Sequence, residues 1–164
     1  MFGLNYLSAT GLTIAVQISV RTRYAMCALI DLNINQVRGN VKLKDVSERQ
    51  NIPLKYLEQI IQALSKAGIV KGERGPNGGY VLSRPADTIS VDEVLLALEG
   101  STGIESSFDP QFFELDGCAQ HAVYSFWKET ESKLVEKTTS TSIADLSKNV
   151  RSETGMPRSD EYYI

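Results

Sequence analysis

A single histidine, two cysteines and one tryptophan stand in 164 residues, and each scarcity removes a class of chemistry. One histidine excludes a His-rich metal site and any paired-histidine catalysis. Two cysteines cannot build a disulfide framework, which fits a reducing, cytoplasmic location. No segment approaches the ~20 consecutive apolar residues of a membrane span. Residues 1–17 carry no basic residue ahead of an apolar run, unlike a secretory signal. No nucleophile, histidine and acid fall into a catalytic order. Gly75-Pro-Asn-Gly-Gly79 lacks the Lys-Ser/Thr of a nucleotide loop, so an enzyme is not expected. A large excess of one charge sign is also missing, with 17 Lys and Arg against 20 Asp and Glu.

The net charge of −3 conceals a partition. Residues 1–17 carry no charge, residues 18–84 hold eleven basic and five acidic side chains, and residues 85–164 hold six basic and fifteen acidic ones. A basic first half invites a polyanion, while an acidic second half suits dimerisation, solubility or regulation.

Periodicity divides the basic half into short elements. Ser19 suits the N-cap of a helix through RTRYAMCALIDLN, with Tyr24, Ala25, Ala28, Leu29 and Leu32 on one stripe. Cys27 in that helix reads as a small apolar packing residue. After a Gly-containing loop, KDVSERQ forms a short helix stopped by Asn51. Pro53 suits the first position of a helix ending at Gly68. Leu57, Ile60, Ile61 and Leu64 make its apolar stripe. Lys55, Gln59, Gln62 and Lys66, at spacings of four, three and four, share a narrow polar face. IVKGER and GYVLSR then read as a hairpin joined through GPNG. Ser90-x-x-Glu93 opens a further helix closed by Gly100.

Two short helices, the second with a Lys/Gln face, followed by a Gly-rich hairpin, form the pattern of a winged helix-turn-helix. The expected fold class is mainly α with a small β-hairpin, plus a long C-terminal dimerisation helix. A helix fits the DNA major groove, where Gln pairs with adenine and Lys with guanine. Small residues at the wing tip let backbone approach phosphates, and Arg74 at its base suits a minor groove. The competing reading, a solvated helix face on a pure protein-interaction module, leaves the basic wing unexplained.

The acidic half is simpler. Residues 101–117 read as a polar loop. A helix from about Cys118 to Thr138 follows, within a dimerisation region spanning 118–148. Ala119, Val123, Phe126, Trp127, Thr130 and Leu134 form its stripe, suited to a partner subunit in a homodimer. SIADLSK is a short segment, and residues 149–164 a flexible tail.

The segment RTRYAMCALIDL, with Ser-Glu-Arg-Gln, Tyr-Leu-Glu-Gln and Arg-Gly-x-x-Gly-Gly-Tyr after it, resembles the Rrf2 family of bacterial transcription regulators over residues 18–100. The resemblance implies a cytoplasmic, homodimeric, double-stranded-DNA-binding regulator, read here as a repressor. Its expected DNA contacts are Arg21, Lys42, Lys55, Tyr56, Glu58, Gln59, Gln62, Arg74, Gly75, Asn77 and Gly78. Residues 1–17 precede the family pattern and read as an N-terminal extension, either an upstream translation start or a weakly ordered arm.

Many members of the family hold an iron–sulfur cluster with three cysteines in a C-x5-C-x5-C pattern. Cys118 and His121 resemble the last cysteine and the histidine beyond it, but Phe112 and Ser106 stand at the other two positions. A cluster needs soft thiolate ligands, so none is expected and the resemblance leans to cluster-free members such as the cysteine metabolism repressor. An iron–sulfur or thiol-based redox sensor using Cys118 is the alternative, since a helix N-terminus lowers a thiol's pKa. In the cysteine repressor, a terminal Ile is the element that O-acetylserine sulfhydrylase (cysteine synthase) recognises. Tyr162, Tyr163 and Ile164 are therefore the expected partner-binding tail, the free carboxylate and Ile filling an amino-acid pocket.

Overall fold

Burial periodicity and end signals account for the order of elements in the computed structural model, which describes residues 18–100 and 118–154. Helix α1 (Val20–Asn35) leads through a 3-10 turn (Gln36–Arg38) to α2 (Leu43–Gln50) and α3 (Leu54–Lys66). An antiparallel pair, β1 (Val70–Glu73) and β2 (Gly79–Leu82), follows, with Val70 opposite Leu82 and Glu73 opposite Gly79. A second 3-10 turn (Ala86–Thr88) precedes α4 (Val91–Glu99), and α5 (Cys118–Ser140) and α6 (Ile143–Thr154) close the order. The mainly helical winged architecture agrees with the pattern in the sequence. Among the described residues no helix is long and apolar enough to cross a membrane.

Local chemistry sets most boundaries. Ser19 caps α1 by accepting the Thr22 N–H at 3.1 Å. Ser90 and Glu93 form the reciprocal capping box on α4, and Gly100 ends that helix in the left-handed region at φ 75°. Asn51 ends α2 at φ 51°, and the Ile52 N–H reaches back to the Ser47 carbonyl at 3.1 Å. That bond makes the α2–α3 turn tight. Pro53 is the N-cap of α3 rather than its first helical residue. Its backbone is extended (ψ 124°), while its carbonyl already accepts the Tyr56 and Leu57 N–H groups.

The core is continuous. Leu29 and Leu32 of α1, Val46 of α2, and Leu57, Ile60, Ile61 and Leu64 of α3 are fully buried with Ile69, Ile89, Val94 and Ile143. Each such aliphatic side chain contributes on the order of 1.5–3 kcal/mol relative to exposure. Cys27 is a correction: it lies exposed on α1. Ala25, Ala28, Leu29 and Leu32 take the inner face, and at 100° per residue Cys27 stands about 200° from Ala25.

Helix α6 is longer than the short segment read from the sequence, since it runs six residues past Lys148 to Thr154. It starts with a capping box. Ser142 Oγ accepts the Asp145 N–H at 3.1 Å, and the Ser142 N–H donates to Asp145 Oδ2 at 3.2 Å. Hydrogen bonds from Val91 N to Thr141 O and from Ile143 N to Ile89 O, both 2.9 Å, return the chain to the start of α4. Asn33 Nδ2 of α1 donates to the buried Ser147 Oγ at 2.9 Å. The far end of α5 is thus anchored to the same domain that carries α2, α3 and the hairpin.

Candidate nucleic-acid interface

An open groove of about 730 Å³ runs between the start of α2, the outer face of α3 and the beginning of β2. Lys42, Leu43, Lys44, Leu54, Lys55, Glu58, Gln59, Gln62, Gly79 and Tyr80 line it. Burying Leu57, Ile60, Ile61 and Leu64 turns Lys55, Glu58, Gln59, Gln62 and Lys66 outward, and all five are exposed. Of the residues expected at a DNA surface, Lys42, Lys55, Glu58, Gln59 and Gln62 therefore line one groove. Leu43, Lys44, Leu54 and Tyr80 also line it and were not expected there. Lys44 carried a signal, being two residues after Lys42 in the same basic run, whereas Tyr80 reaches the groove only through the packing of the hairpin.

Two candidates stand elsewhere. Tyr56 is half-buried, its ring edge-on to Tyr24 with centroids 5.8 Å apart, and it packs against the core. Arg21 sits half-buried at the start of α1, where its charge helps hold the Glu99 carboxyl below its ordinary range. Neither lines the groove.

The framework of the groove rests on a buried carboxylate. Asp31 of α1 is 3% exposed. It accepts Arg49 Nε at 2.9 Å and Arg49 Nη2 at 2.6 Å, Gln50 Nε2 at 2.8 Å and Asn35 Nδ2 at 3.2 Å. The hydrogen bonds from Arg49 to Asp31 push the Arg49 pKa further up, so the guanidinium stays charged. This ties the end of α2 to α1 and sets the angle at which α3 leaves the tight turn.

The wing borders the same groove. Arg74, Gly75, Asn77 and Gly78 form the hairpin's exposed turn and its approach to β2, and the Gly78 N–H donates to the Gly75 carbonyl at 2.9 Å. Val41, just before α2, bonds both ways with Tyr80, at 3.0 and 2.8 Å. The backbones approach so closely that a Cβ on Gly79 would stand 2.7 Å from the Val41 oxygen. The paired glycines therefore have a packing reason beyond turn geometry.

On α5, Val123 (50% exposed), Phe126 (60%) and Trp127 (38%) lie at the surface, and the rings of Phe126 and Trp127 meet edge-to-face at 5.3 Å. Thr130 is exposed, its hydroxyl donating to the Phe126 carbonyl, and Leu134 is half-buried. The side chains of Cys118, Ala119 and His121 lie outside the described residues, as do segments 1–17 and 101–117 and the tail with Tyr162, Tyr163 and Ile164.

The model of the Rrf2 family, described as "Iron-dependent Transcriptional regulator", matches residues 18–149. The chain belongs to the Rrf2 family. As an Rrf2 protein it is a transcription regulator with a winged DNA-binding fold, and not an enzyme. It is 36% identical over 135 residues to the HTH-type transcriptional regulator IscR of Xenorhabdus nematophila, covering 82% of this chain and 80% of that protein. It is 50% identical over 86 residues to IscR of Cereibacter sphaeroides, a match spanning 51% of this chain and only 56% of that protein's length. Among solved structures, IscR of T. potens superposes with a TM-score of 0.68 at 33% identity, covering 95% of this chain and all of that one. CymR, the global cysteine regulator of B. subtilis, superposes at 0.66 with 29% identity, covering 82% and 98%.

The family description names iron, and the donors of this chain fall short of a set of three thiolates. The sequence has two cysteines, of which Cys27 faces outward from α1. Among the described residues no three His, Cys, Asp or Glu side chains gather around a common point. A cluster held by the family's cysteine triad does not fit these residues.

Proposed function

We propose that this Rrf2 regulator binds double-stranded DNA as a homodimer and acts as a cytoplasmic repressor. Helix α3 enters the major groove, and the wing lies over the adjacent minor groove. The observation that carries the reading is the groove itself, which gathers Lys42, Lys44 and Lys55 with Gln59 and Gln62 beside the wing. Lysines supply phosphate attraction and the two amides supply base-edge readout. Glu58 on the same face disfavours sequences that place acceptors opposite it and favours a cytosine amino group. Arg74, beside the Gly-rich turn, enters the minor groove.

Homodimerisation is supported by the apolar face of Val123, Phe126 and Trp127, since so large an exposed cluster on a helix suits a second copy. The decisive experiment is titration of a labelled duplex, selected by the protein from a randomised pool, at two salt concentrations. Affinity falling by about 10³ or more between ~50 and ~200 mM salt is expected for a dimer making several phosphate contacts. Salt-independent or absent binding would leave a protein-interaction module instead.

Two readings of the signal have separate support. Likeness to CymR favours control of cysteine metabolism, with Tyr162, Tyr163 and Ile164 docking into O-acetylserine sulfhydrylase. Calorimetry with the host's sulfhydrylase tests it, and binding undiminished by deletion of Ile164 sinks it. Likeness to two IscR proteins, within a family described as iron-dependent, favours an iron- or thiol-based signal centred on Cys118. Visible absorption of protein purified without oxygen, compared with a Cys118→Ala variant, tests that one.

A further inference from the structure

We propose that Asn40 is a positioning residue that holds the wing in its DNA-reading orientation; the inference rests on the DNA-binding function proposed above. The hairpin consists of two four-residue strands, a size that is marginal in isolation. What steadies it is the connection between α1 and α2, which touches it at three heights. At its base, the Leu82 N–H donates to Gln36 Oε1 at 2.9 Å. At mid-height, Val41 and Tyr80 exchange two backbone hydrogen bonds. At its tip, Asn40 Nδ2 donates to the Asn77 carbonyl at 3.1 Å and to Glu73 Oε2 at 2.8 Å.

The tip contact is the one with a functional consequence. Glu73 and Asn77 bracket Arg74, Gly75 and Pro76, so one amide grips both ends of the turn that carries the basic side chain. The same amide occupies a carboxylate oxygen on a surface meant for phosphates, which restrains the one acidic group of the wing. The primary amide of Asn40 donates to both acceptors at once, since –NH₂ offers two hydrogens. Loss of the contact frees a Gly-rich turn whose ordering must then be supplied by DNA, and the affinity falls accordingly.

The test is a double-mutant cycle on the duplex selected by the wild-type protein, read by anisotropy, by hydroxyl-radical footprinting for the minor groove and by dimethyl sulfate protection of guanine N7 for the major groove. Asn40→Ala is expected to weaken binding about fivefold and to lose minor-groove protection while keeping the major-groove footprint of α3. On an Arg74→Ala background the same substitution is expected to have less than about a twofold effect, because the group it positions is gone. Asn40→Asp, which sets a carboxylate against Glu73, is expected to weaken binding further, and adding Glu73→Gln to it to restore part of the loss. Thermal melting checks that α1 to α4 remain folded; if Asn40→Ala melts early, the Asn40→Asp and Glu73→Gln pair carries the test. Additive effects of Asn40→Ala and Arg74→Ala, or uniform loss of the footprint, overturn the positioning role. Absence of wild-type binding to any duplex overturns the DNA function itself, a separate result.

Discussion

At the scale of single residues, the proposed DNA-binding role divides the groove into side chains that would attract and side chains that would read. Lys44 presents a flexible point charge, whereas Gln59 presents a donor and an acceptor in a fixed plane. Gln59→Ala is expected to cost about 1–3 kcal/mol on the preferred duplex and to relax specificity at one base position. Lys44→Ala is expected to weaken all duplexes evenly and, since a dimer loses two such contacts, to reduce the salt slope by about 1.8. Competition binding on single-base variants of the duplex distinguishes them, and equal relaxation by both substitutions contradicts the division of labour. Behind the groove, Asp31 governs stability rather than contact. Removing Arg49 strands a buried carboxylate, a change that costs ~3–5 kcal/mol when a fully buried pair is broken. Arg49 is 40% exposed, and Gln50 and Asn35 keep bonding Asp31, so about 2–3 kcal/mol is expected for Arg49→Ala. Urea unfolding measures it; a loss below ~0.5 kcal/mol would mean the carboxylate finds water.

Helices and strands show which structural information is local. The stripe of α3 was legible because burial at spacings of three and four is a property of one helix, and the same spacing turned Lys55, Gln59 and Gln62 outward. Ser19, Asn51 and Ser90 were legible as end signals, since capping satisfies backbone groups a few residues away. The Asp31–Arg49 pair was not, because it joins residues eighteen apart across a turn and depends on how two helices cross. Cys27 was misread for a related reason, as residue type suggested packing while the register of α1 put it outside. Helix α6 did have a signal, Ser142-x-x-Asp145, and the polar sequence after Lys148 masked its length. One interelement contact has a pH signature. Ser19 and Thr22 hydroxyls of α1 donate to Glu99 at the end of α4, the Thr22 bond at 2.5 Å. The Ser19 bond first, then that from Thr22, holds the Glu99 carboxyl below its ordinary value. A depressed folded pKa means stability that is present above the unfolded value, about 4.3, and lost as pH falls through the folded one. Glu99→Gln, which removes the titration, is therefore expected to give a shallower fall in melting temperature between about pH 5 and pH 3 than wild type. Identical pH slopes in the two proteins contradict this latch between α1 and α4.

For the whole molecule, the decisive fact is that charge is divided along the chain while the net value is small. The half with eleven basic and five acidic side chains carries the groove and the wing, and the acidic half carries α5 and α6. The contacts of α6 with α1 and with the start of α4 join the two halves of the chain, so α5 cannot move without loading the domain that holds α3. A dimer built through Val123, Phe126 and Trp127 would then set the spacing of two α3 helices, and DNA affinity should depend on a surface that touches no DNA. Salt dependence makes this quantitative. Lys42, Lys44 and Lys55 line the groove, and Arg74 stands exposed at the turn of the wing. If each meets a phosphate, one subunit contributes a slope of about −3.6 in log K against log salt, and a dimer about −7. Phe126→Glu places a charge within the apolar face, where it has no partner to offset its desolvation, and is expected to yield monomers in sedimentation at micromolar concentration. Because Phe126 is exposed in the single chain, melting of the winged domain should change little. The monomer should keep base preference at one half-site while its salt slope falls to about half. A variant that sediments as a monomer yet retains the full slope would show that the phosphate contacts are made by one subunit alone, and the dimeric reading of this groove would fail.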